Sequence, residues 1–331
     1  MRAARLRRGL AMALTACSIV VTVAAAARST VPGTPVPPRL PAMRAETLPA
    51  RYAANHRFIT ESEHAARALG DEGRAGVLAR LARGDRHFLS FSPRGDGQVV
   101  EVLGDLAHAD RIAVVVPGSD TTVDTFDELG TVYASLNGGA RSLHAEMRKL
   151  QPDRKTAVVA WYGYPAPRTM SRDIVTTDRA LDGGRRLAGL VGDLRRVNAA
   201  APVAVLCHSY GSVVCATALR RMDAPAESSL SDVVLFGSPG TGVRSRAELR
   251  TRVPVWAGRG ATDWIEGVPH VSLDLLGAQI GFGTDPVAAP FGARLFPAGA
   301  GSHSDYLRPG GLPLRNIALI ALGRGSEVSD D

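Results

Sequence analysis

The sequence predicts an α/β fold, with a mostly parallel sheet that opens on an antiparallel pair and carries helices on both faces. Three observations point there. Short apolar runs alternate with helix-period segments from about residue 85 onward, the pattern of strand–helix–strand units. Several of those runs are continuously apolar, as in 111–116 and 156–161, which suits strands covered on both faces. The first two runs, 87–91 and 98–103, are separated by Ser92-Pro-Arg-Gly-Asp-Gly97, a hairpin turn signal.

In chain order, residues 61–83 place Ala65, Ala66, Leu69, Val77, Leu78 and Leu81 at helical spacing with breaks at Gly70 and Gly73, so a helical preface of two short helices is expected. The strand 111–116 ends in Pro117-Gly118-Ser119-Asp120. Residues 124–150 read as mostly helix, with Gly138-Gly139 as a break. The strand 156–161 leads into Tyr162-Gly-Tyr-Pro-Ala-Pro167, and 177–198 is helix-like. A strand at 202–206 is followed by a helix at 212–222, and a strand at 232–236 ends in Gly237-Ser-Pro-Gly240. Residues 252–257 and 293–297 read as two further strands, and 311–322 as a closing helix. No internal repeat interrupts this order, so 51–331 is read as one domain.

Ahead of it stand two segments of different character. Residues 1–27 join a basic start (Arg2, Arg5, Arg7, Arg8) to an apolar run from Gly9 to Ala27 that ends in small residues, a signal peptide by its layout. The run is also long enough to serve as a membrane anchor. Leu14-Thr15-Ala16-Cys17 resembles a lipobox and Arg7-Arg8 faintly a twin-arginine signal. Export, with cleavage or tethering, is the expectation. Residues 28–50 are a Pro-rich linker, because proline removes backbone donors and restricts its neighbours.

Composition narrows the function classes. At 45% hydrophobic and 21% charged residues the chain can build a large core. The net charge of +7 falls to +3 without the four arginines of residues 1–27. The remaining arginines are interspersed with acids, so no nucleic-acid partner is expected. Cys207 and Cys215, at the end of a strand and inside the next helix, are expected as buried thiols rather than a disulfide.

The chemistry centres on Cys207-His208-Ser209-Tyr210-Gly211. Ser209 directly follows a strand and precedes a helix. A sharp turn there would lift the hydroxyl above the sheet and aim the helix N-terminus at a developing oxyanion. The residues two before and two after must be small; Gly211 is, and Cys207 stands where glycine is usual. A serine at this place can also simply cap the helix.

Acid and base then follow in chain order. Asp263 lies just past the strand 252–257, and His303 just past the strand 293–297, in Gly301-Ser-His303-Ser-Asp-Tyr306. Both belong to the C-terminal edge of the sheet, where open α/β sheets place their sites. His303 would act as base and Asp263 would fix its tautomer. Asp285 is the rival acid, His270 the competing base, and Asp305 a candidate supporting partner. His208 is read as a packing or loop-positioning residue. The N–H groups of Tyr210 and Ser119 are the expected oxyanion donors. Gly118 allows close approach of substrate, and Tyr162 and Tyr164 are expected at the pocket mouth.

Taken together, Val115-Val116-Pro117-Gly118, Trp161-Tyr162-Gly163-Tyr164, His208-Ser209-Tyr210-Gly211-Ser212, Phe236-Gly237-Ser238-Pro239-Gly240 and the late Gly-Ser-His303-Ser-Asp-Tyr306 resemble the α/β-hydrolase superfamily. More narrowly, they resemble an uncharacterised actinobacterial branch of predicted serine hydrolases. That resemblance implies an α/β-hydrolase fold and a Ser-Asp-His site without metal or cofactor. An esterase-like activity on a small-molecule or acyl substrate is the leading expectation. An amidase or peptidase on the same triad, or a binding protein on a hydrolase scaffold, are the alternatives. Aromatic content of only 5%, with no strongly apolar lid, points away from a lipase acting at an oil surface.

Overall fold

A computed structural model describes residues 35–127, 130–169, 178–268, 273–275, 278–280 and 282–329. The segment 1–34, read above as an export signal and the start of the linker, and the rival base His270 lie outside them. Among the described residues no helix is long and apolar enough to cross a membrane.

The strands are β1 (His87–Ser92), β2 (Gln98–Leu103), β3 (Arg111–Val116), β4 (Thr156–Tyr162), β5 (Val203–His208), β6 (Leu230–Phe236), β7 (Val255–Gly258), β8 (Leu273–Leu275), β9 (Ala278–Ile280) and β10 (Arg294–Leu295). Eight of them form one sheet in the order β1-β2-β4-β3-β5-β6-β7-β10, and β8 and β9 make a separate two-stranded ribbon. β2 pairs antiparallel with both β1 and β4. From β4 to β10 every pairing is parallel. The expected sheet, antiparallel at its start and parallel after it, is the one observed.

Its centre explains the continuous apolar runs. Every residue of β4 is buried, and β3 and β5 are buried at all but one position each, because helices cover both faces. Those helices are α1 (Leu48–Ala68), α2 (Glu72–Leu81), α3 (Leu136–Leu150), α4 (Asp178–Val197), α5 (Gly211–Leu219), the single-turn α6 (Ala224–Glu227) and α7 (Leu312–Ala321).

Two helices depart from expectation. α1 begins at Leu48, inside the stretch read as linker, with Pro49 in its first turn, where proline's missing N–H costs no helical bond. Phe58 and Ile59 bury its inner face. α3 runs straight through Gly138 and Gly139, the expected break. Ser135 caps it by accepting from Gly138 N–H at 3.1 Å. A Cβ at Gly138 would lie 1.7 Å from the Val132 carbonyl oxygen, and one at Gly139 2.7 Å from Leu307. Both glycines are therefore there for close packing, which outweighs their low helix propensity of about 1 kcal/mol each.

Candidate active site

The C-terminal edge of the parallel strands carries the site. β5 ends at His208, and Ser209 turns the chain into α5 with φ of 53°, a left-handed backbone that costs a non-glycine residue of order 1 kcal/mol. The turn is held at both ends. Ser209 N–H donates to the Phe236 carbonyl at 3.1 Å, and Ser212 N–H donates back to the Ser209 carbonyl at 2.9 Å. Gly211 is obligatory, since a Cβ there would sit 2.8 Å from the carbonyl oxygens of both Val116 and Pro117.

Position −2 of the turn is where the sequence expectation fails. Cys207 and Cys215 form a disulfide across eight residues, tying β5 to α5. Both sulfurs are buried, as expected, but they are not free thiols. The strand-to-helix reversal brings together two cysteines whose separation along the sequence gave no hint of pairing. The Cys207 side chain is thus accommodated by running into the strand–helix interface.

Asp263 and His303 meet. His303 Nδ1 donates to Asp263 Oδ1 at 2.8 Å, and Tyr306 OH donates to Asp263 Oδ2 at 2.5 Å. Ile265 N–H completes the set at 2.9 Å. Burial raises the Asp263 carboxyl, but the bonds from His303, Tyr306 and Ile265 outweigh it and hold the group below its ordinary value. It is therefore the anionic partner of the ring, and it leaves Nε2 of His303 as the basic nitrogen. Tyr306 OH also accepts from Gly260 N–H at 3.0 Å. Nothing in the sequence assigned it this role, although it closes the same motif as His303. A buried tyrosine needs a partner for its hydroxyl, and that was the available signal.

The other two acids lie elsewhere. Asp285 pairs with Arg259 at 2.5 Å. Asp305 accepts from Ser302 N–H at 2.9 Å and from Tyr133 OH at 3.1 Å, so it orders the loop before His303 and does not bond to the ring. Gly237, with φ of 56°, makes room for the cluster: a Cβ there would come within 3.2 Å of Asp263 Oδ2 and of the His303 ring.

His208 is half-buried beside this pair. Its Nε2 lies 2.9 Å from the His303 carbonyl oxygen, and its ring centroid is 4.7 Å from that of His303. Burial pushes its pKa down to about 3, with the His303 ring adding to the shift. The sign of the consequence is fixed. The unfolded chain binds this proton below about pH 6.5 and the folded chain does not, so stability is lost as pH falls from there toward 3. Between pH 7 and pH 5 the parent is expected to lose about 2 kcal/mol more than a His208→Gln variant. Urea midpoints at the two pH values measure this, and equal losses in the two proteins would refute it.

Ser209, His208 and His303 share a cavity of about 590 Å³ whose walls include Tyr133, Leu136, Ile265, Val268, Phe282 and Leu307. Trp264, 57% exposed, packs its ring with the centroid 4.7 Å from that of His303. Among the described residues no hydrogen bond joins the Ser209 hydroxyl to the His303 ring; such contacts often tighten only around substrate.

Gly118, Ser119 and Tyr210 line the cavity. The Ser119 N–H has no backbone acceptor among the described residues. Gly118 approaches closest: a Cβ would fall 2.6 Å from Ser209 Cβ and 3.1 Å from its Oγ. Gly118→Ala is therefore expected to displace the hydroxyl and slow any reaction that Ser209 carries about 100-fold. A rate within threefold of the parent would contradict that.

Tyr162 and Tyr164 are not at the pocket mouth. Both are fully buried and absent from the cavity walls. Tyr164 OH donates to the Pro117 carbonyl at 2.8 Å, so it supports the Gly118 loop from beneath. Strand β4 extends through Tyr162, one residue further than expected, and Tyr164 lies two residues past its end. Above them Asp120, with φ of 60°, donates its N–H to the Pro167 carbonyl and accepts from Thr169 N–H at 3.0 Å. The loops after β3 and β4 are thereby joined.

A family model described as alpha/beta hydrolase matches residues 92–273, a span that holds Ser209 and Asp263 and stops before His303. An uncharacterised protein of Mycobacterium tuberculosis is 29% identical over 317 residues, covering 86% of this chain and 46% of the relative. An uncharacterised protein of Mycobacterium bovis is 32% identical over 158 residues, covering 44% of this chain and 54% of the relative. The chain thus spans about half the length of the curated relatives it matches. Among solved structures, an a/b serine hydrolase without lid from Xanthomonas campestris is 17% identical at a TM-score of 0.42, covering 73% of this chain and 95% of that one. A dienelactone hydrolase-like promiscuous phosphotriesterase from metagenomic libraries is 15% identical at a TM-score of 0.43, covering 74% and 98%. With more than half of its length matched by the family model, the chain belongs to the alpha/beta hydrolase family.

Proposed function

We propose that the protein is an exported serine hydrolase that cleaves ester-type acyl bonds through Ser209, His303 and Asp263. The observation that carries this reading is the Asp263–His303 hydrogen bond of 2.8 Å, formed beside the cavity that also holds Ser209 on its left-handed turn.

In the reaction, Ser209 Oγ attacks the carbonyl carbon while Nε2 of His303 takes its proton. Asp263, already accepting from Nδ1, stabilises the imidazolium. The oxyanion receives the N–H groups of Ser119 and Tyr210. His303 then protonates the departing alcohol, leaving an acyl-serine. Water, deprotonated by the same nitrogen, releases the acid and restores the hydroxyl. A mostly apolar wall around the serine favours an uncharged acyl group over a charged one.

Export is part of the proposal. The basic-then-apolar segment 1–27 supports it, and so does the Cys207–Cys215 disulfide, since such bonds persist chiefly in oxidising compartments.

A panel of p-nitrophenyl esters of two to twelve carbons, assayed beside the matching anilides, tests the activity. Ester turnover well above anilide turnover is expected. Faster anilide cleavage would reassign the protein as an amidase, and no turnover of either, with no serine-probe labelling, would favour a binding protein on this scaffold.

A further inference from the structure

We infer that His208 is a positioning residue, a neutral imidazole that braces His303 against the nucleophile turn by donating a hydrogen bond from Nε2 to the His303 backbone carbonyl. The inference rests on the triad proposed above and adds a residue to its support.

His208 is the last residue of β5 and precedes Ser209 directly. Its side chain nevertheless reaches the loop 95 residues further along, with Nε2 at 2.9 Å from the His303 carbonyl oxygen. A carbonyl oxygen only accepts, so the proton sits on Nε2. The ring is held on several sides, with centroids of Phe236 at 5.2 Å, His303 at 4.7 Å and Tyr306 at 5.9 Å. This packing fixes where the donor points.

A second imidazole so near the nucleophile invites the reading that it is the base. The geometry argues otherwise. Its Nε2 is already committed to a carbonyl, and both oxygens of Asp263 are taken by His303, Tyr306 and Ile265.

The loop that carries His303 is tied at several points, among them Ala261 N–H on the Gly299 carbonyl and the Thr262 hydroxyl on the Ala300 carbonyl, each at 2.9 Å. It approaches through Ala298-Gly-Ala-Gly301, a run with little intrinsic stiffness. Asp305 ties down Ser302, and Asp263 orients the His303 ring. His208 supplies a further tie, from the residue whose backbone is joined directly to that of Ser209. Nucleophile and base are thereby referenced to each other, and small misplacements between such groups are costly.

Two variants separate this role from simple space filling. His208→Phe keeps a ring and loses the donor. His208→Gln loses the ring and keeps an amide N–H at similar reach. For an ester substrate the Phe variant is expected to lose about 10- to 100-fold in kcat with KM within about twofold, and the Gln variant to recover to within about threefold of the parent. The rate at which a fluorophosphonate labels Ser209 is expected to follow kcat.

A Phe variant within threefold of the parent, a Gln variant as slow as the Phe variant, or a loss carried by KM alone would overturn the brace. Should either variant fail to fold, long-range 1H–15N spectra of the parent decide. The Nε2–H tautomer of His208 at pH 7 is expected, and an Nδ1–H or doubly protonated ring would overturn it. A parent that labels at no serine would instead sink the hydrolase reading, while the tautomer still tests the brace.

Discussion

Replacing His303 by alanine is expected to lower kcat for ester hydrolysis by about 10⁴-fold. Asp263→Asn is expected to fall nearly as far, and the double variant little further. The magnitude follows from the proposed mechanism, in which the three groups work as a unit. Without Nε2 of His303 the Ser209 hydroxyl has no acceptor for its proton, and its attack on a carbonyl reverts to that of an ordinary alcohol. An asparagine in place of Asp263 would offer Nδ1 of His303 an amide oxygen at best, which removes the charge that stabilises the imidazolium. Because Tyr306 and Ile265 also bond to Asp263, Asp263→Asn is also expected to be less stable than His303→Ala. Ester kinetics and thermal denaturation on the same samples separate the two effects. Losses that multiply in the double variant would show the residues acting independently and would break the triad account.

The second large effect concerns the disulfide. Cys215→Ser is expected to destabilise the domain by about 2.5 kcal/mol, the loop-closure value for so short a ring. For a domain of this size that corresponds to a fall in Tm of roughly 4 °C. The consequence reaches the site, because the bond joins β5 to α5 directly across Ser209. The left-handed turn at Ser209 is strained, and the covalent tie resists its relaxation. In denaturant without reductant, thiol titration of the parent is expected to find no reactive Cys207 or Cys215. Two reactive thiols, or a Tm unchanged in Cys215→Ser, would show that the bond does not form or does not matter.

Much of this architecture was legible in the chain because burial writes itself into composition. β3, β4 and β5 are covered on both faces, so their central residues had to be apolar, and the runs could not be mistaken. That Ser209, Asp263 and His303 lie at one edge was legible for a related reason: each follows a strand, and strand ends share one edge in a parallel sheet. What stayed hidden were properties of contact rather than of pattern. Gly138 and Gly139 have the composition of a helix break, and only the distance to Val132 and Leu307 explains them. Pro49 has the composition of a linker, although proline in a first helical turn is a start signal. Tyr162 and Tyr164 have the character of rim aromatics, yet one closes strand β4 and the other bonds to the Pro117 carbonyl, both within the core. The partner of Cys207 and the hydroxyl of Tyr306 depend on loops folding back, which no local spacing encodes.

The measurement that bears most directly on the central reading is to label the folded protein with a fluorophosphonate and locate the adduct by peptide mass spectrometry. The account predicts one adduct, on Ser209, formed in the parent and abolished in His303→Ala. An adduct on Ser212, Ser304 or another serine, or labelling of Ser209 at the same rate without His303, would contradict it.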